Sequence, residues 1–362
     1  MTGRLPLAST GAAVLAGLLL SCAVSAAAAL PNRAARALQQ TSAVAEAPAA
    51  AVPAQTMTSP TAAAPAAAPG PAAEAALPSI STLLLTLALC PGGLLDGGQP
   101  APFLGPLRHV EAAGVRWGYH TFGPTGGAAR APPVLLLPGT GGSMYMWPPE
   151  LLTSLAASRQ VTVVDWPGIG ASQAPGFNYS SVDEVAEAVL AFMDAEGLER
   201  PDVIAWSLGA IILMRMAELE PDALGRLVLV SPFPGGPDRI EPAPEVLDSY
   251  VNPSPDQTNP VVGRQQADMV LRFLRTPLIS DELPSITSPV LIVQGELDPL
   301  VPAGNAPILA AALTGNPQVV LHVVPGAAHT VAHQELGWFV SEVEAFLGMA
   351  PAAAATAPAA EP

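Results

Sequence analysis

The chain contains no lysine: all 14 basic residues are arginine, against 30 acidic ones, for a formal charge of −16 over 362 residues. So acidic a balance argues against nucleic acid or an anionic lipid surface as a main partner and favours an uncharged or cationic small-molecule substrate. The same acidity also keeps a protein soluble, and that reading carries equal weight. Cysteine is nearly missing: Cys22 and Cys90 both precede the stretch with globular composition, so neither a disulfide framework nor thiolate chemistry is expected. No spacing of His, Cys, Asp and Glu suggests a metal site. Gly168-Ile169-Gly170 is too short a pattern for a dinucleotide loop. No cofactor and no metal are therefore expected. Long apolar runs are missing as well. Ala12–Leu20 and Ile80–Cys90 are the candidates, and both are too short to cross a bilayer as straight helices.

What is present divides unevenly. Residues 1–28 read as a targeting segment, with Arg4 at its start, the Ala12–Leu20 run, and Val24-Ser25-Ala26 as a small-residue cleavage site. Export is the expectation, as a secreted protein or one lipid-anchored at Cys22 of the lipoprotein-like box Leu19-Leu20-Ser21-Cys22. An organellar transit peptide is the alternative, since Arg33 and Arg36 precede the first acidic residue, Glu46. Any membrane association is expected through this segment alone, and the oligomeric state is not legible. Residues 29–106 read as a low-complexity linker. Its Ala/Pro stretches, such as Ala62 to Pro69, hold too little apolar surface to offset the entropy of ordering. Within it, Ile80–Cys90 reads as a packed extension of the domain, with an interfacial or docking helix as the alternative. Residues 349–362 return to Ala/Pro and read as a disordered tail.

The remaining stretch, residues 107–348, is long enough for one α/β domain with a substantial core. His109–Gly114 and Val115–Gly123 alternate like the two strands of a hairpin. Short continuous apolar runs follow at Val134–Leu137, Val161–Val164, Val203–Ala205, Leu227–Val230, Val290–Val293 and Val319–Val324. Runs of this kind are strands buried on both faces, hence a mostly parallel central sheet. Between them lie helical stripes, such as Val182, Val185, Ala186, Val189, Leu190 and Met193, and a second over Leu336–Leu347. The fold class expected is α/β with helices on both faces. An interval of about fifty residues, near 233–287, interrupts the alternation and is too long for an ordinary loop. Two short helices are expected there, at Glu245–Val251 and Gln265–Leu274, forming a small helical cap.

One stretch organises the chemistry. Pro201 to Gly209 reads as strand, tight turn and helix, with Ser207 at the apex. A serine hydroxyl attacks carbonyl carbon only if a base takes its proton and donors receive the oxyanion. Asp298 follows the Val290–Val293 strand, and His329 follows the Val319–Val324 strand. In a parallel sheet the carboxyl ends of strands converge on one crevice, so the three can meet. Glu296 and Asp165 compete for the carboxylate role, Asp165 being better suited to bracing the loop Trp166–Ser172. His333 competes with His329, while His322, His109 and His120 read as structural.

Five motifs in register carry a resemblance: Leu137-Pro-Gly-Thr-Gly-Gly-Ser, Asp165-Trp-Pro-Gly-Ile-Gly-Ala-Ser, Ala205-Trp-Ser-Leu-Gly, Gly295-Glu-Leu-Asp298 and Gly326-Ala-Ala-His329. Over residues 107–348 the chain resembles the α/β-hydrolase fold superfamily, whose triads run in the order Ser, Asp, His. The resemblance implies Ser207 as nucleophile, His329 as general base and later acid, and Asp298 as the carboxylate orienting the imidazole. It also implies an oxyanion hole from the backbone N–H groups of Leu208 and Thr140. Gly139, Tyr145 and Trp206 are candidates for lining the pocket. Two positions depart from the common pattern: Ala205 replaces the first glycine of the elbow, and Pro138 stands where a histidine is frequent. Dehalogenases and epoxide hydrolases of this fold carry Asp at the apex, so Ser207 points away from them. The expected activity is a carboxylesterase-like serine hydrolase acting on an ester, less readily an amide or thioester. An acyltransferase or cofactor-free perhydrolase on the same triad, or a non-catalytic ligand-binding relative, are the alternatives.

Overall fold

The computed structural model describes residues 95–96, 99–251, 259–276, 282–316 and 318–348. The targeting segment, most of the linker with its Ile80–Cys90 run, and the C-terminal tail lie outside the described residues. No described helix is long and apolar enough to cross a membrane.

Eight strands form one mixed sheet: β1 (Arg108–Ala112), β2 (Val115–Phe122), β3 (Val134–Leu137), β4 (Val161–Val164), β5 (Asp202–Trp206), β6 (Leu227–Val230), β7 (Val290–Gly295) and β8 (Val319–Val324). Their order is β8-β7-β6-β5-β3-β4-β2-β1. The six strands from β3 to β8 are mutually parallel, while β2 pairs antiparallel with both β4 and β1. The β1–β2 hairpin closes through Ala113-Gly114, both at positive φ (49° and 73°), the two-residue turn whose twist matches that of its strands.

The central strands are buried along their length and mostly apolar because both faces are covered. Val203 and Ala205 of β5 join one buried cluster, while Ile204 and Trp206 join the other. Leu135 and Leu137 oppose Val134 and Leu136 in the same way, as do Val290 and Ile292 against Leu291 and Val293. This is the period-2 alternation of a strand, with apolar residues at both phases. Helices α2 (Val182–Glu196), α3 (Leu208–Leu219) and α6 (Asn305–Ala312) cover the first face. The second is covered by α1 (Pro149–Ala156) and α8 (Leu336–Gly348), with the one-turn α7 (Val331–Gln334) beside them. Helix α2 starts where Ser181 Oγ accepts from Glu184 N–H at 3.1 Å and stops at Gly197 in the left-handed region.

Between β6 and β7 stand two further helices, α4 (Pro244–Val251) and α5 (Pro260–Leu274). Helix α5 begins five residues before the apolar stripe predicts. Asn259 caps it by accepting from Val262 N–H at 3.3 Å, and Pro260 sits at its first position. That Asn-Pro pair is the start signal the stripe alone does not contain.

The strand order places the site. From β3 the chain passes through α1 to β4 on one side, then returns through α2 to β5 on the other side of β3. The loops leaving β3 and β5 therefore diverge from neighbouring strand ends, where Leu137 pairs with Ala205, and open a crevice between them.

Candidate active site

Ser207 occupies the one-residue bend between β5 and α3, with φ 54° and ψ −112°. Such backbone costs a non-glycine residue about 1–3 kcal/mol, so the surroundings must enforce it. Ser207 N–H donates to Val230 O at 2.8 Å, and Ser207 O accepts from Ala210 and Ile211 N–H at 3.0 and 3.2 Å. Gly209 lets the helix pass against β3: a Cβ there would lie 2.5 Å from the Leu137 carbonyl oxygen. The methyl of Ala205 is fully buried in the first-face cluster, so the added carbon is absorbed by packing. Serine favours helix N-caps because its oxygen binds the orphan N–H groups. Here it makes no cap hydrogen bond, and the residue lines the cavity beside it instead.

Beyond β7, the carboxyl group of Asp298 is buried and accepts four hydrogen bonds. Oδ1 takes the Leu300 and Val301 N–H groups, both at 2.9 Å. Oδ2 takes His329 Nδ1 at 2.8 Å and Gln294 Nε2 at 2.9 Å. Two oxygens offer about four acceptor sites, so the group is saturated. With Nδ1 donating to a carboxylate, the imidazole presents its lone pair at Nε2. The backbone of His329 is held as firmly: its carbonyl accepts from Trp206 Nε1 at 2.9 Å and Ser231 Oγ at 3.1 Å. The Trp206 and His329 rings lie 5.2 Å apart.

Gln294 is a residue that sequence reasoning passed over. Its side chain is fully buried, and its amide nitrogen faces three acceptors: Asp298 Oδ2, Gly295 O and Val301 O. That environment admits only the NH2 orientation. The residue directly precedes the Gly295-Glu-Leu-Asp298 motif, yet nothing in a strand-end glutamine reveals three acceptors brought around it by the turn.

The loop after β3 supplies the candidate oxyanion donors. Gly139 O accepts from Trp166 Nε1 at 3.2 Å and from Gly142 N–H at 3.1 Å. Because the peptide is planar and trans, fixing this carbonyl also fixes the Thr140 N–H on its opposite side. Leu208 N–H is the first orphan donor of α3. Neither N–H is taken by another group among the described residues, so both remain free for a substrate oxygen. Pro138 does not disturb this, since Trp166 Nε1 also binds the Pro138 carbonyl, at 3.1 Å.

Of the three candidate wall residues, the Trp206 and Tyr145 side chains engage other groups and Gly139 packs against the Trp206 ring. Trp206 is wedged between the His329 loop and Gly139, where a Cβ would lie 2.8 Å from the indole ring. The Tyr145 hydroxyl pairs with His120 Nε2 at 3.1 Å. The cavity beside Ser207 is lined instead from α3, the cap and the Asp298 loop, by residues including Leu208, Ile211, Phe233, Tyr250, Val270 and Val301. It measures about 20 Å³, room for a single water.

The competing groups are engaged away from this cluster. His333 Nε2 donates to the Met146 carbonyl at 2.8 Å, and burial lowers its pKa. His322, on β8, lies 3.3 Å from Glu342 of α8, and His109 is exposed on β1. Glu296 accepts from Gly326 N–H at 3.0 Å. Asp165 ties two loops together, accepting from Met144 N–H and Ala171 N–H, both at 2.7 Å. Burial disfavours its anion more than those donors favour it, and its pKa is pushed up to about 6. An acid with a raised folded-state pKa holds its proton more tightly folded than unfolded, so stability falls as pH rises from about 4 to about 6. Relative to the non-titrating Asp165→Asn variant, the wild type is expected to lose up to about 3 kcal/mol across that window. Urea unfolding at matched ionic strength measures this, and parallel pH profiles for the two proteins would refute it.

Comparison with known proteins agrees with this architecture. The chain is 23% identical over 313 residues to the dihydrolipoyllysine-residue acetyltransferase component of the acetoin cleaving system of Pseudomonas putida, covering 77% of this chain and 78% of that one. It is 26% identical over 256 residues to a pimeloyl-[acyl-carrier protein] methyl ester esterase of Vibrio atlanticus, covering 60% of this chain and 95% of the relative. The crystal structure of an esterase from Rhodococcus sp. ECU1013 superposes with a TM-score of 0.54 at 20% identity, over 67% of this chain and 98% of that one. The model of the α/β hydrolase family matches residues 134–342. By that match, and by the sheet order and strand-end loops described above, the chain belongs to the α/β hydrolase family.

Proposed function

We propose that the protein is a serine hydrolase that cleaves an ester, less readily an amide or thioester, through an acyl-enzyme on Ser207. The observation that carries this reading is the 2.8 Å hydrogen bond from His329 Nδ1 to the saturated, buried carboxylate of Asp298, on the same sheet edge as a strained serine. In the first half-reaction Ser207 Oγ bonds to the carbonyl carbon as its proton passes to His329 Nε2. The carbonyl oxygen becomes an oxyanion and is received by Thr140 and Leu208 N–H. Collapse of this adduct breaks the ester C–O bond, and His329 returns the proton to the leaving alcohol. In the second half-reaction water attacks the acyl carbon with His329 as base, releasing the acid and restoring Ser207.

The apolar lining of the cavity, with no charged group on it among the described residues, supports an uncharged acyl part; a small to medium size belongs to the same proposal. Export, or anchoring at Cys22, belongs to the same proposal. The test is labelling with a fluorophosphonate probe, then turnover of p-nitrophenyl esters of increasing chain length, with alcohols or peroxide as competing acceptors. Labelling at Ser207 and release of free acid are expected. An unlabelled Ser207 would sink the reading, and preferential transfer to an added acceptor would establish an acyltransferase or perhydrolase instead.

A further inference from the structure

The loop that carries Thr140 reads Pro138-Gly-Thr-Gly-Gly-Ser143. With three glycines in four residues it has little intrinsic conformational preference, so its shape depends on what binds it. The core holds its first peptides through Trp166 Nε1, and the loop's own Gly142 N–H closes a turn on the Gly139 carbonyl. The next part is held from the cap. Gly141 N–H donates to Gln266 Oε1 at 2.7 Å, and Thr140 Oγ1 lies 2.8 Å from the Tyr250 hydroxyl. Gln266 stands on α5 and Tyr250 on α4, 125 and 110 residues from their partners.

Both cap residues are buried, Gln266 completely. Its neighbours on the same helix, Ala267, Met269, Val270 and Phe273, are apolar and buried. A methionine would fill that position without desolvating an amide. The polar residue presents its Oε1 to the loop, while the same side chain also acts on the Tyr179 hydroxyl. Tyr250 also lines the cavity beside Ser207, so the contact to Thr140 lies at the site itself.

We infer that the cap is a working part of the oxyanion hole, with Gln266 and Tyr250 as positioning residues that hold the Thr140–Gly141 segment so that the Thr140 N–H faces the developing oxyanion. The inference rests on the reading of Ser207 as nucleophile. Donors aimed at the oxyanion act mainly in the transition state, so loosening them lowers kcat and leaves KM nearly unchanged. Deleting a whole donor costs about 10²–10³-fold. A donor present but loosely held costs less, on the order of 10–100-fold in kcat for Gln266→Met. Tyr250→Phe and Thr140→Val are each expected to cost about 3–10-fold in kcat. Their double variant is expected to be no worse than either single one, because both break the same contact.

The experiment is steady-state turnover of a short p-nitrophenyl ester by the full-length variants, with inhibition by phenylboronic acid as mimic of the tetrahedral adduct. Expected are losses in kcat with KM within about twofold, a parallel weakening of boronate inhibition, and recovery of the lost activity when Thr140→Val is changed to Thr140→Ser. Wild-type kcat in both Gln266→Met and Tyr250→Phe would overturn the inference. So would losses confined to KM, or boronate inhibition that stays constant while kcat falls. Ser207→Ala is the control: turnover surviving in that variant defeats the nucleophile assignment itself, whereas an inactive Ser207→Ala beside fully active cap variants defeats only the role of the cap.

Discussion

Replacing Ser207 with alanine is expected to lower kcat toward p-nitrophenyl esters by about 10⁵–10⁶-fold while leaving the fold intact. The hydroxyl is the atom that becomes acylated, and its loss leaves only binding and the oxyanion donors to act on the ester. Stability provides an independent check on the same position. With φ 54° and ψ −112° the backbone is strained for any residue bearing a Cβ, and alanine inherits that strain. Ser207→Gly removes it. The glycine variant is expected to be as inactive as the alanine variant but about 1 kcal/mol more stable, the strain relieved being partly offset by glycine's greater unfolded-state entropy. Denaturant unfolding of the two variants measures the difference. Equal stability would mean that the elbow stores no strain, and residual turnover above about 1% in either variant would remove Ser207 from the reaction.

Asp298→Asn is expected to lower kcat by about 10³–10⁴-fold. The reason lies in the four donors around the carboxylate. Oδ1 faces two backbone N–H groups, while Oδ2 faces His329 Nδ1 and the amide nitrogen of Gln294. An asparagine must direct its NH2 group at one of these pairs. Directed at His329, it donates to Nδ1, drives the imidazole proton to Nε2, and blocks the position that must accept from Ser207. Directed at Leu300 and Val301, it leaves two buried donors unpaired and distorts the turn. Either choice costs about 2–4 kcal/mol of stability. Rate and unfolding measurements on this one variant test both effects. Activity within tenfold of wild type would show that Asp298 does not orient the base.

Several features were legible because each depends on neighbours in sequence. The eight strands appear as apolar or alternating runs bounded by turns, since burial on both faces demands apolar side chains at both phases. The elbow was visible for a similar reason, because a strand and a helix joined by one residue require small side chains at Gly209 and, here, Ala205. Asp298 and His329 stood out by following strand ends. Other features depend on groups distant in the chain. Helix α5 starts ahead of its apolar stripe because its capping pair, Asn259-Pro260, precedes that stripe. Trp206, Gly139 and Tyr145 could be proposed as pocket walls from their proximity to motifs, but proximity in sequence says nothing about direction. Trp206 turned out to bind the His329 carbonyl, and Tyr145 to bind His120.

The sequence by itself determined the fold class and the strand ends at which chemistry-bearing side chains emerge, because strand periodicity and turn chemistry are local. Tertiary structure supplied the contact itself, His329 against Asp298 while His333 binds the Met146 carbonyl, since an imidazole's partner is set by the packing of separate strands. It also decided that Gln294 completes the shell of Asp298 through a turn folding back on its strand, and that Gln266 and Tyr250 reach the oxyanion loop across more than a hundred residues. A hydrogen bond of that span leaves no trace in spacing or composition, because the chain between its ends is fixed only by the packed core.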